Sequence, residues 1–104
     1  PIATHVGEYD EALVAEALRR EAARGGQSFY LHNRVETIAE ATETVRALVP
    51  ELRVVTAHGQ MAESELEDVM LAFIRGEADV LVATSIIEAG LDIPQANTLV
   101  VERA

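Results

Sequence analysis

Asp79-Val80-Leu81-Val82-Ala83-Thr84-Ser85 is the stretch that decides the fold. Its first five residues form a nearly continuous apolar run, and two hydroxyl side chains follow it. A strand with one face in water alternates apolar and polar residues. An unbroken run is the mark of a central strand in a parallel sheet, covered on both faces. Residues 98–101 repeat the pattern.

Upstream of this strand, Leu66, Val69, Met70 and Phe73 recur at helical spacing, and Gly76 is placed to end that helix. Glu63, Glu65, Glu67 and Asp68 crowd its first turns, where the helix dipole favours acids. Residues 52–57 form a β-branched strand after Pro50, which cannot continue a helix. The preceding helix is expected to bury Val35, Ile38, Thr42, Val45 and Leu48 or Val49, with Asn33 and Glu36 as a capping box. Residues 28–32 read as a strand. Residues 8–24 read as a helix with Leu13, Val14, Ala17, Leu18 and Ala22 on its stripe, stopped by Gly25 and Gly26. A short strand is expected at residues 3–6. Strand and helix thus alternate without a linker or repeat, which predicts an α/β fold: a mostly parallel sheet of about five strands with helices on both faces.

Composition narrows the function. At 104 residues with 49% apolar content and no Trp, the chain is expected to build one core from aliphatic side chains. There is no Cys, and His5, His32 and His58 are scattered, so the expected metal count is none. No apolar run approaches the roughly 18 residues of a membrane span, and no signal peptide is recognisable, which leads to an expectation of a cytoplasmic protein without a membrane partner. The net charge of −10 disfavours bulk attraction to nucleic acid, so any phosphate contact must be local. All eight basic residues are Arg.

In an open parallel sheet, ligands gather where the carboxyl ends of strands meet helix N-termini. Three turns are placed there: Asn33-Arg34, His58-Gly59-Gln60-Met61 and Thr84-Ser85-Ile86. They offer hydroxyls, an amide, a guanidinium and a backbone freed at Gly59, all suited to phosphate, but no nucleophile paired with a base. Taken singly, Asn33 also reads as a helix cap and His58 as a polar strand end. Gly90, Asp92 and Pro94 make a bent segment in which Asp92 is also readable as a turn residue. Glu63 and Glu67 lie one helical turn apart, yet no His or Asp completes a ligand set, so they read as a solvated face.

The segment VLVATSIIEAGLDIPQANTLVVERA (80–104) resembles motif V of superfamily 2 helicases, and AHGQM (57–61) resembles the segment before it. PIATHVGEYD (1–10) and GGQSFYLHNRVETI (25–38) look like the entry and the motif IV region of the second RecA-like domain in that superfamily. HGQM, the Asn97-Thr98 pair and the terminal Val-Glu-Arg-Ala resemble the bacterial transcription-repair coupling factors. The related fork-reversal helicases share the Ile-Glu-x-Gly pattern but typically carry HGRM. A non-catalytic interaction module of the same fold is a further alternative.

The resemblance implies a RecA-like three-layer sandwich in which residues 1–104 are one partial C-terminal helicase domain. It implies an ATP-dependent double-stranded DNA translocase that displaces stalled RNA polymerase and couples transcription to nucleotide-excision repair. Asn33, Arg34, His58, Gly59, Gln60, Met61, Thr84, Ser85 and Ile86 match DNA-backbone contacts, and Glu88, Gly90 and Asp92 match the nucleotide-coupling segment. The implied partners are duplex DNA, the first RecA-like domain of the same parent chain and, through other domains, RNA polymerase and excision-repair proteins. ATP and Mg²⁺ belong to the complete two-domain motor. This sequence has no G-x-x-x-x-G-K-[ST] loop and no Gln-x-x-Gly-Arg-x-Gly-Arg segment, so neither cofactor is expected to bind the fragment alone and no catalytic residue is assigned. An arginine finger is worth roughly 10³ to 10⁵ in rate, so the fragment by itself is expected to be inactive. An uncovered sheet edge is expected to promote self-association.

Overall fold

The computed structural model describes the backbone of residues 3–7, 10–84 and 96–102, and the side chains of residues 10–84. In chain order the elements are β1 (Ala3–Gly7), α1 (Glu11–Ala23), β2 (Gln27–Leu31), a 3-10 turn (Val35–Thr37), α2 (Ile38–Leu48), β3 (Val54–Ala57), α3 (Glu63–Ile74), β4 (Val80–Ala83) and β5 (Ala96–Glu102). The five strands form one sheet in the order β1-β5-β2-β4-β3, and every pairing is parallel. The expected architecture is therefore present, with strand ends shifted by one or two residues.

The apolar run of β4 sits where its composition requires. All four residues are buried: Val80 and Val82 pack on the α1/α2 face, and Leu81 and Ala83 on the α3 face. Val14 and Leu18 of α1, Ile38 and Val45 of α2, and Tyr30 and Val54 complete the first core. Phe73 of α3 anchors the second, with its ring 5.4 Å from that of Phe29. At about 2 kcal/mol for each large apolar side chain removed from water, these two layers hold the sheet between helices.

Local expectations fail in two places, and the α3 stripe, which faces the core as expected, is less deeply covered than its composition suggests. Leu13 is 61% exposed, whereas Ala15 and Glu21 are buried. Helix α1 starts at Glu11, with the carboxylate of Asp10 accepting the N–H groups of Ala12 and Leu13, and its inward face is rotated away from the expected stripe. Asn33, expected to open the helix in a capping box with Glu36, is not at an N-cap position. Arg34 and Thr37 occupy the cap positions of the 3-10 turn and α2, and neither side chain caps. Leu66, Val69 and Met70 are only half-buried, because α3 covers the side of the sheet where β3 is the last strand.

Candidate nucleic-acid interface

Register brings the three sequence-predicted turns together. Leu31 pairs with Ala83 and Ala83 with Ala57, so β2, β4 and β3 end side by side at one level. His32, Thr84 and His58 are the next residues, and the His32 N–H extends the ladder by donating to Ala83 O at 2.9 Å. The residues that follow β2, β4 and β3, namely His32, Thr84 and His58, therefore stand side by side on one edge.

Each turn has its own local cause. After β3 the chain closes on His58: the Gln60 N–H donates to Nδ1 at 3.2 Å, the Met61 N–H donates to His58 O at 3.2 Å, and the His58 N–H donates to Met61 Sδ at 3.3 Å. Met61 packs partly into the α3-side core, leaving Gly59 and Gln60 exposed at the tip. With Nδ1 accepting, the neutral ring carries its proton on Nε2. After β4, Thr84 is 5% exposed, and its Oγ1 has no hydrogen-bond partner among the described residues. After β2, Asn33 and Arg34 are exposed, and Arg34 has extended backbone with φ −143°.

The charges of the edge are uneven. Five of the seven arginines in residues 10–84 are in ion pairs: Arg19 with Glu51, Arg20 with Glu16, Arg24 with Glu21, Arg46 with Glu43 and Arg53 with Asp79. Arg34 and Arg75 are in none among the described residues, and only Arg34 belongs to this edge. At the β3 end, α3 begins with Glu63 and Glu65 and has no side-chain cap. Acids there occupy the positive end of the helix dipole that a phosphate would otherwise use. Among the described residues the edge is thus basic at the end of β2, where Arg34 lies, and acidic at the start of α3.

A groove of about 360 Å³ runs along the free side of β3 between α2 and α3, reaching His58 and Met61. Arg46 lines it and donates to Val54 O at 3.0 Å, covering a carbonyl of the edge strand. Among the described residues no group of three or more His, Cys, Asp or Glu is placed to hold a metal, and no helix is long and apolar enough to cross a membrane. Ser85, Ile86, Glu88, Gly90 and Asp92 lie outside the described residues.

The sequence reading missed one polar pair at this edge. His32 was read only as a strand residue, but its Nε2 lies 2.7 Å from Thr37 Oγ1. The expected helix opened at Asn33 and held Thr37 inside its first turns, and nothing local in the sequence says that the Thr37 hydroxyl meets His32.

Residues 9–104 match the family described as "Helicase conserved C-terminal domain". The chain is 56% identical over 101 residues to the transcription-repair-coupling factor of Bacillus subtilis, covering 97% of this chain and 9% of that protein. It is 57% identical over 104 residues to the Mycobacterium tuberculosis factor, covering 100% of this chain and 8% of that protein. It therefore spans less than a tenth of the length of these relatives. Among solved structures it resembles RecG bound to a three-way DNA junction, with a TM-score of 0.73 and 33% identity over 94% of this chain and 13% of that one. The Pyrococcus furiosus Hef helicase domain gives a TM-score of 0.72 and 26% identity over 88% of this chain and 19% of that one. With its parallel sheet, its phosphate-compatible carboxyl edge and a match over residues 9–104, the chain belongs to the helicase conserved C-terminal domain family.

Proposed function

We propose that this chain is the second motor lobe of an ATP-driven double-stranded DNA translocase of the transcription-repair coupling kind. Its carboxyl edge grips one strand of the duplex through phosphates. The observation that carries this reading is the single row formed by the ends of β2, β4 and β3, with, among the described residues, Arg34 in no ion pair and Thr84 Oγ1 buried without a partner. Contacts of this type fix the position of a motor on DNA without reading bases, as translocation requires.

The uneven charge supplies a direction. Phosphates lie over Asn33, Arg34 and Thr84, and the acids of α3 keep the strand from sliding towards β3. Ser85 and Ile86 continue the contact. Glu88, Gly90 and Asp92 couple it to a nucleotide held against the first RecA-like domain of the same parent chain. ATP with Mg²⁺ is bound mainly by that partner domain, and closure of the two lobes on ATP produces the step. Displacement of stalled RNA polymerase and recruitment of excision-repair proteins are functions of the whole protein.

The test is ATP hydrolysis by the full-length protein titrated with duplex DNA. The expected result is stimulation by duplex that Arg34→Ala shifts to higher DNA concentration. Hydrolysis indifferent to DNA, or a titration that Arg34→Ala leaves in place, overturns the reading, and no hydrolysis at all favours a non-catalytic module.

A further inference from the structure

We propose that His32 and Thr37 form a positioning clamp that holds the Asn33-Arg34 turn in its DNA-gripping shape. The proposal rests on the phosphate-gripping role given above to Arg34. The pair is 2.7 Å apart and brackets the four residues 33–36. Both of its members are anchored. The His32 N–H is bonded to Ala83 O of the central strand, and Thr37 is followed at once by Ile38, which is 1% exposed in the core.

The choice made by Thr37 is informative. It sits at the N-cap of α2, where a threonine hydroxyl ordinarily accepts an N–H of the first helical turn. No such bond exists, and the hydroxyl is directed to the imidazole instead. The helix forgoes its cap, and the turn gains a closure that its backbone supplies only weakly, through the Thr37 N–H to Arg34 O at 3.4 Å. A short turn closed at both ends presents Arg34 with less freedom to lose when phosphate binds. Neither His32 nor Thr37 needs to touch DNA for this to work.

The experiment measures duplex affinity of the full-length protein against salt concentration, with thermal midpoint recorded for each variant. Thr37→Val removes the hydroxyl at nearly constant shape, and Thr37→Ser keeps it. The expected result is affinity about fivefold lower for Thr37→Val, a salt slope reduced by somewhat less than one, and recovery in Thr37→Ser. In an Arg34→Ala background, Thr37→Val is expected to cause no further loss. His32→Phe, which keeps the ring and removes its nitrogens, is expected to behave like Thr37→Val and serves if that variant folds poorly.

Wild-type affinity and slope in a folded Thr37→Val or His32→Phe overturn the clamp. So do losses that multiply with Arg34→Ala, because the pair would then act elsewhere. If Arg34→Ala weakens binding and the clamp variants do not, only the clamp falls. If Arg34→Ala itself changes nothing, the reading beneath it falls as well.

Discussion

The two edges of the sheet spend their polar side chains differently. At the amino edge they bind the protein's own backbone. Gln27 donates both amide hydrogens, to Phe73 O at 2.6 Å and Ala78 O at 2.8 Å, tying β2 to the turn between α3 and β4. Arg53 reaches both oxygens of Asp79 and also Gly76 O, and its own N–H donates to Asp79. Gly25 and Gly76, with φ of 79° and 76°, make the left-handed turns that end α1 and α3. At the carboxyl edge, among the described residues, Arg34 has no ion pair, Thr84 Oγ1 has no partner and Thr37 does not cap its helix, while the amino edge leaves only Gln27 Oε1 and Ser28 Oγ buried without a partner among the described residues. The difference teaches that stability is concentrated at one edge, leaving the other free to exchange partners with a ligand.

Four substitutions would break or sharpen that contrast. The largest effect is expected at the amino edge. Gln27→Ala removes both bonds, leaving Ala78 O without this donor and Phe73 O with the Gly76 N–H alone, and should cost about 2 kcal/mol, on the order of ten degrees of thermal midpoint in a domain of this size. Calorimetry checks it, and a shift of a degree or two would mean that the clamp on the α3–β4 turn is redundant.

Arg34→Ala should do the reverse. It should lower duplex affinity about tenfold and cut the salt slope by about 0.9, while stability stays within about 0.5 kcal/mol. Titrations at several salt concentrations, set beside a melting curve, separate the two. A large loss of stability would place Arg34 with the structural arginines.

A smaller effect concerns pH. Burial pushes the Asp79 carboxyl up, but the Arg53 guanidinium bonds, the Arg53 N–H and the nearby positive charge outweigh it and hold the group below the usual carboxylate range. A carboxyl depressed on folding contributes stability that is fully present above its unfolded value of about 4 and is lost as pH falls through its folded value. The wild type and Asp79→Asn should therefore differ in stability at neutral pH and converge in acid. Parallel curves from pH 7 to pH 2 would show that Asp79 acts through shape alone.

The smallest effect is at Thr84. Thr84→Val removes a buried hydroxyl that has no partner among the described residues, so the domain should become slightly more stable, by a few tenths of a kcal/mol, while DNA stimulation of ATP hydrolysis weakens. Opposite signs in stability and function would be the clearest mark of a group reserved for a ligand. Loss of both would mean that the hydroxyl is satisfied inside the fold.

Much of the scaffold was legible because it depends on local pattern. The apolar run ending at Ala83, the stripe of α3, Pro50 and the glycines at 25 and 76 each specify an element or its end through periodicity and backbone sterics. Those signals also put Asn33-Arg34, His58–Met61 and Thr84 at strand ends. The phase of α1 was misread at Leu13, because Asp10 sets the helix start and the sheet, not the helix, selects which side is buried.

By itself, then, the sequence determined an alternating α/β chain whose turns after β2, β3 and β4 suit phosphate. Only the tertiary structure decided that β4 lies between β2 and β3, so that the ends of these three strands, expected on one edge, are immediate neighbours there. It alone decided that Thr37 serves His32 and not its own helix. Both follow from competition between partners distant along the chain or equally close to it, and a local pattern names the competitors without ranking them.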